Sequence, residues 1–394
     1  MKREAVIVSA VRTPVGKYRG GLSYASHHSL GALVMKEALA KAKLDPAELD
    51  EIFFGNLTGV WYNNIARYAA LEAGIPIHVP ATSMDKQCGT SITEAGIAAA
   101  LIEAGQMDSV LIGGVNQDTR KAWILEKPDQ PFTLAPLKPF PPINTSPPEF
   151  GEPNMLVTAE NLAKKYNLTR EECDAFALES HKKAHAATSA GYFADTTVTV
   201  EIDLGRGKTS VVSKDETVRA DSTIEALAKL PVVSGVDGGV CTAGNSSPYS
   251  DGASAVVIMD KSKAQQIGAP ILGYIRGYVA VGVEPHIMGI GPAPAITKLL
   301  DKMDMTQDDI DLFEINEAFA AQTLACAKEL GLDMSKLNVN GGAIALGHPL
   351  AATGGIIIAK MVSELARQNK RYGVIAFCCG GGQGVAMLIE SGVK

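Results

Sequence analysis

The sequence predicts an α/β protein built from two related halves, with a long insertion between core strands. Three observations carry this prediction. Short Val- and Ile-rich runs alternate with longer Ala-rich periodic segments, the two ends of the chain share a pattern, and prolines crowd one stretch between them. Alternating strand and helix patterns are typical of sheets covered by helices. The length of 394 residues suits two or three domains.

Strand and helix patterns alternate regularly in the first part of the chain. β-Branched apolar runs predict strands, and apolar residues at helical spacing predict helices. The predicted strands are 5–10, 51–54 and 109–112, and the predicted helices are 30–42, 65–73 and 91–104. The third strand is expected to end at Gly113 and Gly114.

Residues 119–248 are predicted to form a loop domain inserted between core strands. Nine prolines crowd residues 118–154, where fixed φ angles and missing N–H donors disfavour regular structure. A long irregular insertion in a compact protein is commonly a functional loop or lid. Helical patterns follow, one starting at Thr158 and the next opening with the capping-box pattern Thr169-Arg170-Glu171-Glu172.

The alternation returns after the insertion. The predicted strands are 254–259, 271–278, 311–315 and 374–377, and the predicted helices are 317–330 and 354–368. These elements predict an N-terminal half of residues 1–118, completed by residues 249–270. The C-terminal half is then residues 271–394.

The two halves resemble each other in sequence. Residues 49–54, Leu-Asp-Glu-Ile-Phe-Phe, match residues 310–315, Ile-Asp-Leu-Phe-Glu-Ile. A near-equal offset sets Cys88 against His348, and each precedes a helix rich in small residues. Copies of one α/β unit related by a pseudo-twofold axis bring equivalent loops together. The repeat therefore predicts that this cysteine and this histidine converge.

Composition excludes several classes of protein. Apolar residues make up 46% and charged residues 20% of the chain, which is typical of a folded soluble protein. A net charge of −7 gives no strongly basic surface for nucleic acid. No run of ~18 apolar residues predicts a membrane span. Six scattered cysteines predict reduced thiols in a cytoplasmic compartment.

Two kinds of ligand lose support. Neither G-x-G-x-x-G nor the P-loop pattern occurs, which weakens the case for nicotinamide and P-loop nucleotides. His181 and His185 have a spacing that could suit a metal. The two lysines between them and the missing third ligand favour a solvated helix face instead. No metal and no permanently bound cofactor are therefore expected.

Four residues could carry chemistry. Cys88 opens a predicted helix, whose N-terminus favours a thiolate, although free cysteines are more often buried and inert. His348 lies between glycines that let a ligand approach closely. Asn316 follows a strand and is a functional residue, a helix N-cap or both. Cys378 precedes three glycines, whose N–H groups either bind an oxyanion or only form a tight turn.

Together these segments resemble the thiolase family over essentially the whole chain. Each motif alone is weak, but their order and spacing are specific. The motifs are Val11-Arg12-Thr13-Pro14, Cys88-Gly89, Cys241 to Ser247, Asp251-Gly252-Ala253, Met288 to Pro292, Asn316 to Phe319, Asn338 to Gly342, Gly347-His348-Pro349 and Cys378 to Gly382. The resemblance implies a five-layer αβαβα fold with two pseudo-repeated halves and an inserted loop domain over the coenzyme A site.

The resemblance also implies a role for each reactive residue. Cys88 would be the nucleophile that takes up the acyl group, and His348 would activate it. Cys378 would be the acid/base for the acetyl methyl proton. Asn316 would position a water that forms one oxyanion hole with His348. The N–H groups of Cys88 and Gly380 would form the other.

The implied reaction is reversible thiolytic cleavage or Claisen condensation of 3-ketoacyl-CoA, by default acetoacetyl-CoA, in fatty acid metabolism. A cysteine nucleophile suits it, because one thioester exchanges for another nearly isoenergetically. Coenzyme A and acyl-CoA would be substrates, and a homodimer or homotetramer is implied. The implied coenzyme A contacts are Arg219, Ala243, Ser247, Met288, Ala318 and Phe319.

Some residues near the reactive positions depart from those usual in the family: Thr90, Ser91, Glu94 and Ala351. They keep open an alternative, a non-catalytic or partner-dependent subunit that binds acyl-CoA. The intact reactive set argues against it. A decarboxylating ketoacyl synthase would share the fold but would need a cysteine and two histidines.

Overall fold

The computed structural model describes residues 3–59, 62–125, 127, 139, 145–150 and 154–393. Its strands are β1 (Ala5–Arg12), β2 (Gly16–Lys17), β3 (Glu51–Gly55), β4 (Ala81–Thr82), β5 (Ser109–Gln117), β6 (Val200–Asp203), β7 (Thr209–Val212), β8 (Ser250–Asp260), β9 (Gly273–Gly282), β10 (Leu312–Ile315), β11 (Tyr372–Cys379) and β12 (Gln383–Ser391). Its α-helices are α1 (His27–Ala42), α2 (Ile65–Glu72), α3 (Thr90–Glu103), α4 (Met155–Tyr166), α5 (Arg170–Ser189), α6 (Ile224–Ala228), α7 (Lys261–Ile267), α8 (Pro292–Met303), α9 (Ala320–Leu330), α10 (Ala343–Leu346) and α11 (Leu350–Gln368). No described helix is long and apolar enough to cross a membrane.

The sheet confirms the predicted repeat. Its strand order is β10-β11-β12-β9-β1-β8-β5-β3-β4, with β2 beside β8. In the N-terminal half, β3 is parallel to β5, which is followed by antiparallel β8 and β1. In the C-terminal half, β10 is parallel to β11, which is followed by antiparallel β12 and β9. β1 and β9 pair across the join, so the two halves have the same strand arrangement.

Helices cover both halves of the sheet and fill the space between them. α1 and α2 pack on the outer face of the N-terminal half. α8 and α9 pack on the outer side of the C-terminal half. α3 and α11 share one buried cluster with strands of both halves. This confirms the αβαβα layering, in which α3 and α11 form the central layer.

The two central helices approach each other closely at their first turns. Ser91 Oγ donates to Ala351 O at 2.7 Å and accepts from Gly355 N–H at 3.1 Å. A Cβ atom on Gly354 would lie 2.6 Å from Ile92 N, so this crossing requires a glycine. The contact therefore holds the N-terminal ends of α3 and α11 side by side.

A buried ion pair fixes part of the predicted insertion to the core. Arg12, at the end of β1, donates to both carboxylate oxygens of Asp215 at 2.6 and 2.8 Å. Asp215 also accepts the Val15 N–H at 2.8 Å. The capping box of Thr169 and Glu172 at the start of α5 is confirmed. Most of residues 126–153, which hold the proline-rich stretch, lie outside the described residues, so the loop-domain bounds stay a prediction.

Several predicted element ends are wrong. β5 does not stop before Gly113 but runs to Gln117, because its backbone stays paired with β8. α9 begins at Ala320 rather than at Glu317, since the Glu317 carboxylate accepts bonds from Ser180 and Asn338. β12 and α8 were not predicted.

Candidate active site

Cys88 lies in a tight turn that leads into α3. Gln87 has a φ of 52°, which is uncommon for a residue other than glycine. The turn is held by the Gln87 N–H, which donates to Asp85 Oδ1 at 2.7 Å, and by the Lys86 N–H, which donates to Thr90 Oγ1 at 2.9 Å. These bonds place the partly exposed Cys88 at the N-terminal end of α3.

Two backbone N–H groups act on the pKa of the Cys88 thiol. One is its own and the other belongs to Gly380, and both favour the thiolate. Burial outweighs them and raises the pKa of Cys88 to about 11. The helix N-terminus therefore does not give a thiolate in the free protein, contrary to the sequence expectation. Cys88 needs a base to become a nucleophile.

His348 lies just before α11, in the position that Cys88 has before α3. Its backbone N–H donates to Ser250 Oγ at 2.8 Å. Ring atom Nδ1 lies 2.7 Å from Thr353 Oγ1, and Nε2 lies 3.3 Å from Asn316 Nδ2. Burial lowers the pKa of His348 to about 4, so the imidazole is neutral. The amide nitrogen can only donate, so Nε2 accepts and Nδ1 carries the proton.

Asn316 follows β10 and is 1% exposed. Its N–H donates to Ala376 O on the neighbouring parallel strand at 3.0 Å. It is not an N-cap, because Phe319 takes that position for α9. Its Oδ1 has no hydrogen-bond partner among the described residues. Asn316 therefore lies beside His348 without capping α9, and its catalytic role stays a prediction.

Cys378 lies near the end of β11 and is fully buried. Burial raises the pKa of its thiol well above the usual value, and the charge of a Cys88 thiolate raises it further. The two sulfurs are thus close enough for ionisation of one to disfavour ionisation of the other. Gly381 and Gly382 follow with φ angles of 85° and 86°, which form a turn that places Gly380 close to Gln87, the residue before Cys88.

The predicted coenzyme A contacts fall into two groups. Ser247 N–H donates to Ala318 O at 2.9 Å, and the strand bridge continues to Phe319. Met288 packs in the same buried cluster as Ala318 and Phe319. Ala243 and Arg219 are exposed. The structure therefore shows contacts that link four of the six.

His181 departs from the predicted solvated face. It is 4% exposed, and its Nδ1 accepts the Arg219 N–H at 3.1 Å. Burial lowers its pKa to about 4. His185 is exposed, as predicted. Within the described ranges, no group of three or more His, Cys, Asp and Glu residues could hold a metal ion.

The partners of His348 were missed by sequence reasoning. Thr353 lies five residues after His348 in the first turns of α11, so its nearness in sequence could have indicated the contact. Ser250 lies at the start of β8, distant in sequence, and offered no such signal. A cavity of about 380 Å³ lies elsewhere and is lined by residues that include Tyr372 and Leu388. Tyr372 starts β11, ~20 Å from Cys378 along the strand.

Comparison with known proteins identifies the family of this chain. The model of the thiolase N-terminal domain matches residues 5–262, and that of the thiolase C-terminal domain matches residues 269–391. An acetyl-CoA acetyltransferase of Pseudomonas aeruginosa is 40% identical over 390 residues, covering 98% of this chain and 99% of that protein. A beta-ketoadipyl-CoA thiolase of Acinetobacter baylyi is 38% identical over 402 residues, covering 98% and 99%.

Solved structures show the same likeness in three dimensions. The Bacillus anthracis acetyl-CoA acetyltransferase superimposes with a TM-score of 0.94 at 40% identity, covering 99% of each chain. Human mitochondrial 3-ketoacyl-CoA thiolase in complex with CoA gives a TM-score of 0.91 at 37% identity, covering 99% of this chain and 98% of that one. With both domain models matched along nearly its full length, this chain belongs to the thiolase family.

Proposed function

We propose that this acyltransferase catalyses the reversible thiolytic cleavage of 3-ketoacyl-CoA, with acetoacetyl-CoA as the default substrate and Claisen condensation of two acetyl-CoA as the reverse. The observation that carries the proposal is that the N–H groups of Cys88 and Gly380 favour the Cys88 thiolate, while His348, in the matching position before α11, is neutral and can accept a proton. The names of the relatives, acetyl-CoA acetyltransferase and thiolase, support the same chemistry.

The first half-reaction uses the groups around Cys88. His348 Nε2 takes the thiol proton, and the sulfur attacks the 3-keto carbon. The oxygen of that carbon develops negative charge, which the N–H groups of Cys88 and Gly380 stabilise; one such donor is worth roughly 3 kcal/mol. The bond between C2 and C3 then breaks and leaves an acyl group on Cys88. The electron pair of the broken bond goes to the acetyl-CoA fragment.

Cys378 completes the reaction as acid and base. Its thiol is neutral in the free protein because burial raises its pKa, so it can protonate the acetyl-CoA carbanion. The resulting thiolate then takes the proton of incoming coenzyme A, whose sulfur attacks the acyl group on Cys88. Acyl-CoA is released, and the Cys88 sulfur leaves as a thiolate and takes its proton back from His348 Nε2. Asn316 and His348 stabilise the thioester oxygen of the carbanion. The same steps in reverse give condensation.

Three of the four departures from the family pattern are accommodated by packing and hydrogen bonds. Ser91 donates to the carbonyl of Ala351, so two unusual residues form one helix contact. Thr90 Oγ1 accepts the Lys86 N–H and donates to Gln87 O, which stabilises the turn before Cys88. No observation favours the non-catalytic alternative.

The wider setting is proposed from the resemblance. The described thiols are all free, which suits a reducing cytoplasm, and fatty acid metabolism uses this reaction. A homodimer or homotetramer is expected, and light scattering would measure its mass.

An activity assay tests the proposed reaction. Purified protein with acetoacetyl-CoA and coenzyme A should give acetyl-CoA, and Cys88→Ser should abolish product. Cys378→Ala should remove turnover while leaving acyl transfer to Cys88. Cys241→Ala is the matched control, since Cys241 is a buried free cysteine outside this cluster. Full activity in Cys88→Ser would contradict the proposal.

A further inference from the structure

A small cavity lies beside the two side chains that contact the His348 ring, Asn316 and Thr353. It has a volume of about 20 Å³, and its lining includes Glu314, Asn316, Thr353 and Lys360. A water molecule needs roughly 10–15 Å³ of such space and two to four polar partners. The cavity therefore has room for one water, with polar side chains around it.

The cavity reaches both partners of the His348 ring. Asn316 meets Nε2 and Thr353 meets Nδ1. Because Nδ1 carries the proton, Thr353 Oγ1 accepts it, and the threonine hydroxyl must donate its own hydrogen elsewhere. No protein acceptor for that hydrogen is found among the described residues, while buried hydroxyls nearly always have one. The cavity is where the missing acceptor belongs.

A buried ion pair forms the far wall. Lys360 Nζ lies 3.0 Å from Glu314 Oε2 and donates to Gly341 O at 2.6 Å. Both side chains are almost completely buried. Removing a charge pair from water costs several kcal/mol of desolvation per ion. The buried pair of Glu314 and Lys360 is therefore a candidate for a functional role.

Chain geometry aims these groups at the cavity. Glu314 and Asn316 are two residues apart at the end of β10, where alternate residues share a face. Thr353 and Lys360 are seven residues apart on α11, which is two helical turns and again one face. The strand end and the helix face therefore present all four side chains to one space.

We propose that Glu314, paired with Lys360, is a positioning residue for His348: through one water in the cavity its carboxylate accepts the hydrogen of Thr353 Oγ1, which itself accepts the Nδ1 proton. This relay fixes the ring in the tautomer that leaves Nε2 free to accept. It also stabilises the positive ring formed when Nε2 takes a proton. The inference rests on the proposed role of His348 as the base for Cys88.

Thr353 gives the cleanest test, because its substitution leaves no charge unpaired. Thr353→Val removes the hydroxyl at nearly constant volume, and Thr353→Ser keeps it. The relay predicts that Thr353→Val lowers kcat with acetoacetyl-CoA about tenfold, the lower end of what outer partners of functional histidines contribute. KM should stay within about twofold, and alkylation of Cys88 by iodoacetamide should slow by a similar factor. Thr353→Ser should restore both rates.

The carboxylate is tested by a neutral pair. Glu314→Gln alone leaves the Lys360 charge buried, so the double variant Glu314→Gln/Lys360→Met is compared with it. Both should lose kcat about as much as Thr353→Val. Glu390→Gln is the control. Glu390 lies near the C-terminal end of β12 and pairs with Arg276, so this variant should keep wild-type kcat.

The outcomes separate the relay from the reaction. If the wild type is active through Cys88 but Thr353→Val or the double variant keeps full kcat, the relay is overturned and the proposed function stands. If Thr353→Ser is as slow as Thr353→Val, the hydroxyl is not the acting group and the relay is again overturned. If the wild type has no Cys88-dependent activity, the proposed function itself fails.

Discussion

The buried carboxyl of Glu94 predicts that the free energy of unfolding decreases as pH rises. Its side chain lies inside the central layer on α3 and is 0% exposed. Oε2 accepts the Gly113 N–H at 3.0 Å, and Oε1 has no partner among the described residues. Burial raises the pKa of Glu94 well above its usual value, so folding favours the protonated form of this carboxyl.

The sign follows from proton binding in the two states. In the unfolded chain a glutamate loses its proton near pH 4.3. Between that pH and the raised folded-state pKa, the folded protein binds one more proton than the unfolded chain, so stability decreases as pH rises. Each pH unit in this window costs about 1.4 kcal/mol. Glu94→Gln keeps the acceptor for Gly113 and has no titrating proton, so it removes this loss.

Urea unfolding at about pH 5 and about pH 6 measures the effect. The free energy of unfolding of Glu94→Gln relative to the wild type should increase by about 1.4 kcal/mol over that unit. Glu103→Gln is the matched control, because Glu103 lies on the same helix but is exposed. An equal pH dependence in the wild type and Glu94→Gln would refute the reasoning.

Three further outcomes test the packing. Gly96→Ala should lower the free energy of unfolding by about 1–3 kcal/mol, because its Cβ would lie 2.3 Å from Tyr278 Cγ. The control Gly282→Ala, whose Cβ would have no atom within 4 Å, should change that free energy little. An unchanged stability in Gly96→Ala would be inconsistent with the close packing of α3 on β9. Asp215→Asn should cost about 3–5 kcal/mol, because it leaves Arg12 buried with 3% side-chain exposure, and thermal melting would show it. Glu179→Gln, which breaks an exposed pair with Lys182, should cost under about 1 kcal/mol; equal losses in the two would contradict the buried pair.

Local patterns in the sequence predicted much of the fold. The strands near Ala5 and Glu51 have strong apolar runs, and the capping box at Thr169 marks a helix start by side-chain chemistry that acts within one turn. The first turn of α11 was missed, because Leu350 to Thr353 follow a proline and their helical state depends on contact with α3. β12 was missed since its glycine-rich start conceals the strand pattern.

The site was predictable where chemistry is carried by residue type and less so where burial decides. Cys88, His348, Asn316 and Cys378 stand out as reactive groups in glycine-rich or strand-end settings. Burial is a property of the packed protein, so the raised pKa of Cys88 and the buried state of His181 were not visible in sequence. Thr353 and Glu314 act through space and have no motif of their own.

The most direct test of the account is the location of the acyl group during turnover. The protein is mixed with acetyl-CoA, quenched in acid, digested and examined by mass spectrometry. The account predicts an acetyl thioester on the peptide that contains Cys88, and none on that peptide in Cys88→Ser. An acetyl group on Cys378 or another residue instead, or thiolysis that proceeds with no acetylated Cys88, would contradict it.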